Sequence, residues 1–105
     1  MATYVLVYKG GGGMAETDEQ RNAELAAWGQ WYGGLGEAVV DGGNPFGPSA
    51  AVAADGSVSQ GAPSGLTGYT ILKADSLDGA AAMAKGCPVL ANGGSIEVYE
   101  TFNVM

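Results

Sequence analysis

The chain has 105 residues, enough for one domain, and with 47% hydrophobic and 14% charged residues it is too apolar and too sparsely charged for intrinsic disorder. Eleven acidic side chains against four basic ones give a formal net charge of −7, and Lys9, Arg21, Lys73 and Lys85 are scattered, which disfavours a nucleic-acid backbone or an anionic membrane surface as partner. Histidine is absent and Cys87 is the single cysteine, so Ser-His and Cys-His nucleophile systems, an internal disulfide and the usual zinc sites are excluded.

No apolar run reaches the roughly 20 residues that span a bilayer, and Met1-Ala2 leads directly into a strand-like segment, so a cytoplasmic protein is expected. That first strand is Thr3 to Lys9, with Tyr4, Leu6 and Tyr8 on one face and Val5 and Val7 on the other. Apolar residues on both faces place it in the middle of a sheet covered on both sides. The glycine run Gly10 to Gly13 is a loop that lacks the Lys and Ser/Thr of a phosphate-binding P-loop.

Thr17 and Gln20 have the spacing of a capping box, and Asp18 and Glu19 sit where the helix dipole favours negative charge, so a helix starts here. Leu25, Trp28, Tyr32 and Leu35 make its apolar stripe, with Trp31 at the edge and expected at an exposed or interface position. Gly29, Gly33, Gly34 and Gly36 weaken the helix, and the expected reason is close approach to the sheet. Ala38 to Asp41 reads as a short strand, and Asn44-Pro45-Phe46-Gly47-Pro48 as a loop. Ala50–Ala54 and Ser57–Gln60 flank Asp55-Gly56 as a hairpin.

Thr67 to Lys73 is the next main strand. Ser76 caps a second helix over Leu77–Lys85 with a face of Leu77, Ala80, Ala81 and Ala84, and Gly86 and Pro88 end it. After the turn Asn92-Gly93-Gly94, a final strand runs through Ile96, Val98 and Phe102. The order is that of an α+β, ferredoxin-like βαββαβ domain over residues 1–105 with an inserted hairpin. Helices cover one sheet face only, so the second apolar face is expected to pack against another copy in an isologous homodimer.

Arg21-Asn22-Ala23-Glu24-Leu25, Gly65-Leu66-Thr67-Gly68-Tyr69, and Asp75-Ser76-Leu77-Asp78 followed by Cys87-Pro88 and Gly93-Gly94-Ser95-Ile96-Glu97-Val98 resemble the YCII-related family of the dimeric α/β-barrel superfamily. The resemblance runs over nearly the whole chain. It implies a ferredoxin-like protomer, a dimer whose two sheets form a barrel, and a pocket beneath the first helix. Some members carry a His on that helix paired with an Asp from the neighbouring strand, and one family enzyme uses the pair to eliminate HCl from a chlorinated ring compound. In this chain Glu24 stands where that His would be, and Asp41 lies close to the position of its partner.

Two carboxylates close together share a proton, so Glu24 with Asp41 is the candidate acid/base pair for a lyase or isomerase; the plainer reading leaves both in solvent. Trp28, Trp31 and Tyr32, joined by Tyr8, Phe46 and Tyr69, suit either a core or a slot for a planar ligand. Asn44 and Ser64 lie in loops at the strand ends where the slot would open, as ligand donors or as turn formers. Ser64 has no base to activate it, and Cys87 before Pro88 reads as a buried thiol. No metal-ligand spacing is present, and neither metal nor cofactor is expected. The expected function is therefore a homodimeric small-metabolite binder with Trp28, Tyr32, Asn44, Ser64 and Tyr69 at its site; the alternatives are a Glu24/Asp41 enzyme or a non-catalytic interaction scaffold.

Overall fold

Alternation of apolar side chains builds a four-stranded antiparallel sheet in the computed structural model, which describes residues 2–10 and 17–102. Its strands are β1 (Ala2–Lys9), β2 (Val39–Asp41), β5 (Leu66–Ala74) and β6 (Ser95–Glu100), in the spatial order β2-β5-β1-β6. A separate hairpin joins β3 (Ala50–Val52) to β4 (Val58–Gln60) across Asp55-Gly56, and its strands pack chiefly on each other. The segment 11–16, with most of the expected glycine loop, lies outside the described residues.

Helix α1 (Asp18–Leu35) starts as its capping residues dictate: Thr17 Oγ1 accepts from the Gln20 N–H at 3.1 Å. Its glycines do not interrupt it, and it ends where Gly36, at φ +56°, donates its N–H to the Tyr32 carbonyl. Helix α2 (Leu77–Ala84) is capped by Ser76, whose Oγ accepts from Gly79 N–H at 3.0 Å. Both helices lie on one sheet face, where Tyr4, Leu6, Tyr8, Leu72 and Ala74 are buried with Trp31, Ala80 and Ala84.

The opposite sheet face carries Val5, Val7, Tyr69 and Ile71, all half-buried; among the described residues no helix lies over it, and Phe46 stacks on Tyr69 there. Val5 pairs with Ile71 on one side and Tyr99 on the other, and Val7 with Tyr69 and Glu97, so an apolar band crosses three strands. The molecule is a slab 44 × 39 × 18 Å, as one sheet with one layer of helices requires.

Five expectations are corrected. Trp31 is buried, 8% exposed, because its Nε1–H finds the Met83 carbonyl at 2.9 Å; Leu25, assigned to the stripe, is instead 65% exposed. Gly29, Gly33, Gly34 and Gly36 do not serve close packing, since a Cβ at any of them would meet nothing within 4 Å. Pro88 does end α2, but it also starts a third helix, α3 (Pro88–Ala91), because proline suits a first helical position whose N–H has no partner. The last strand stops at Glu100, and Phe102 is 80% exposed.

Candidate functional site

Where α1 crosses the ends of β1 and β5, the chain leaves a cleft of about 540 Å³. Residues 21, 24, 25, 28 and 32 recur at helical spacing, so Arg21, Glu24, Leu25, Trp28 and Tyr32 all face it from α1. Tyr8 and Tyr69 contribute from the sheet, Asn44 and Phe46 from the loop after β2, and Val89 and Asn92 from α3 and its end. Trp28 sits edge-on to Tyr8, with centroids 5.6 Å apart, and tilted on Tyr32 at 5.8 Å. Phe46 stacks on Tyr69 at 5.7 Å and 19°. Aromatic rings thus bound the cleft on its helix side, whereas Tyr69, paired with Val7, belongs to the opposite sheet face and holds Phe46 there.

The loop wall is held by a chain of hydrogen bonds. The Thr70 hydroxyl donates to the Gly42 carbonyl at 3.0 Å, and the Tyr32 hydroxyl donates to the same oxygen at 2.9 Å. Because the single hydroxyl hydrogen of Thr70 points at Gly42, the hydrogen bond between Tyr8 and Thr70 runs from the tyrosine hydroxyl to Thr70 Oγ1. Beyond Gly42 the loop pairs with β5: Phe46 N–H donates to the Thr67 carbonyl at 2.9 Å, and Pro45 bridges Gly68. Gly68 permits this approach, since a Cβ there would lie 3.2 Å from the Asn44 carbonyl oxygen.

Burial raises the Tyr8 phenol far above its ordinary range, outweighing the opposing effect of its bond to Thr70. It is therefore a neutral donor fixed in place. Cys87, buried beside it, is likewise pushed up by burial, and the thiol stays protonated.

Of the residues singled out from the sequence, Glu24, Trp28, Tyr32, Asn44 and Tyr69 line the cleft together. Asp41 and Ser64 do not: Asp41 is exposed and its Oδ1 accepts from Gly43 N–H at 2.8 Å, closing its own turn, and Ser64 is exposed in the loop before β5. Glu24 is the one carboxylate lining the cleft among the described residues, and no described group of three or more His, Cys, Asp or Glu side chains is placed to hold a metal ion. Sequence reasoning missed Arg21, Val89 and Asn92. Arg21 was legible as the residue one turn before Leu25 on the Trp28 face; the other two depend on α3, for which Pro88 was the available signal.

Among the described residues no helix is long and apolar enough to cross a membrane. Compared with models of protein families and with curated protein sequences, the chain matches none. Its functional reading rests on its own residues.

Proposed function

We propose that the chain is a YCII-related protein whose ferredoxin-like protomers pair sheet against sheet as a dimeric α/β barrel, and that each protomer binds a small metabolite with a planar ring between α1 and the sheet. One observation carries the binding reading: Trp28, Tyr32 and Tyr8 bring their rings together on the wall of a cleft of about 540 Å³ whose loop side is pinned through Gly42. Aromatic side chains that merely filled a core would leave no such gap. The order β2-β5-β1-β6 with antiparallel neighbours supports the ferredoxin-like reading, and the uncovered band around Val5 and Val7 supports a second copy as its cover.

Binding without turnover is favoured over a Glu24/Asp41 enzyme, because Asp41 spends its carboxylate on Gly43 and does not line the cleft. The test is a thermal-shift screen of the protein and its Trp28→Ala variant against a metabolite library. A ligand at 100 times its Kd stabilises by about 2.7 kcal/mol. At least one planar compound should stabilise the parent chain and not the variant. The reading falls if no compound stabilises, or if every stabilising compound acts equally on both.

A further inference from the structure

The polar groups of the cleft are unevenly matched. Glu24 is half-buried on its wall and has neither ion pair nor hydrogen bond among the described residues. Arg21, the only cation lining the cleft among them, is turned outward, 62% exposed, with Asp18 3.5 Å from its guanidinium. The remaining polar side chains on the walls, Asn44, Thr67 and Asn92, are neutral. Trp28 follows Glu24 by one helical turn, so the carboxylate and the indole are surface neighbours, and Tyr8 and Tyr32 stand against that indole.

A carboxylate beside aromatic faces is the arrangement that recognises an ammonium group: the charge pairs with the acid while the electron-rich rings attract the cation and its carbon skeleton. The net charge of −7 draws cations towards the molecule and repels anions. Resting on the reading of the cleft as a binding site, we infer that its ligand is a small aromatic amine, with the ring held among Trp28, Tyr8 and Tyr32 and the ammonium on Glu24.

Three probes of the same size separate the possibilities: tyramine (cation), 4-ethylphenol (neutral) and 4-hydroxyphenylacetate (anion), titrated by tryptophan fluorescence into the parent chain and into Glu24→Gln. Circular dichroism and the unliganded Tm establish that the variant is folded. Tyramine should bind about tenfold more tightly than 4-ethylphenol, a preference that weakens with added salt, and 4-hydroxyphenylacetate least tightly. In Glu24→Gln the preference for tyramine should disappear while 4-ethylphenol binds as before. If 4-ethylphenol or the acid binds the parent as tightly as tyramine, or Glu24→Gln keeps the preference, the amine specificity is overturned and the cleft remains a binding site. If none of the three binds, both readings fall.

Discussion

Gly43 lies so close over Tyr69 that a Cβ on it would stand 1.7 Å from the Tyr69 carbonyl oxygen, and its φ of +74° belongs to the left-handed region. Steric clash and backbone strain coincide at the residue that carries Asn44 over the cleft. Gly43→Ala is expected to destabilise the fold by about 2 kcal/mol or more and to abolish ring binding, because the loop must lift off β5. Urea unfolding and probe titration check this; a variant as stable as the parent would show that the loop has another way to sit.

The opposite result is expected within α1. Gly33 and Gly34 are exposed and surrounded by open space. Replacing each by alanine restricts the unfolded chain and removes a helix-weakening residue, raising stability by about 0.5–1 kcal/mol per site. Unchanged or lower midpoints in urea would mean that these positions serve a contact outside the protomer.

Thr70 stands between two groups that depend on it. Thr70→Val leaves the buried Tyr8 hydroxyl without an acceptor, at an expected cost of about 1–3 kcal/mol. Adding Tyr8→Phe removes the orphaned group, so the double variant should be little worse than Thr70→Val alone, and the cycle should show strong non-additivity. Additive losses would mean that the hydroxyls act independently.

Alkali should unfold the protein through Tyr8 and Cys87. Burial raises both above their ordinary values, so the folded state holds those protons more tightly than the unfolded chain. Their contribution is complete below the unfolded values, about 8.5 for the thiol and 10 for the phenol, and is lost as pH climbs above them. Unfolding free energy measured from pH 8 to 11 should fall less steeply in Tyr8→Phe than in the parent. Ellman's reagent should modify Cys87 at pH 8 only as fast as the protein opens; equal slopes, or rapid modification of the native chain, would contradict the assignment.

If a second copy covers the band around Val5, then Val5→Glu buries a carboxylate at the centre of that interface. Sedimentation should show a dimer for the parent and a concentration-independent, folded monomer for the variant. A parent that is monomeric at high concentration would exclude the barrel.

The elements visible in the sequence were those with a local cause. Thr17 and Ser76 are short side chains that satisfy the first free N–H groups of a helix, and both cap as read. Alternation in Tyr4, Val5, Leu6 and Val7 named both sheet faces correctly. What escaped the sequence was decided by long-range partners. Trp31 and Leu25 exchange burial because the Met83 carbonyl, 52 residues away, accepts from the indole, and no periodicity within α1 encodes that. A pocket beneath α1 is what the family resemblance implies, and the residues by themselves left Trp28 and Tyr32 open between core and slot; the separation of Asp41 from Glu24 follows from a turn that Asp41 closes on its own backbone.

A single carbonyl, that of Gly42, accepts one hydrogen bond from α1 through Tyr32 and another from the central sheet through Thr70. It works as a spacer block between the two jaws, set by two bonds that neither stretch nor compress much. The gap should consequently sort guests by thickness: of two compounds with equal oil–water partitioning, the flat one is admitted and its ring-saturated counterpart is turned away. Paired titrations with a phenyl compound and its cyclohexyl analogue would measure that discrimination directly, and equal affinities would mean that the jaws yield.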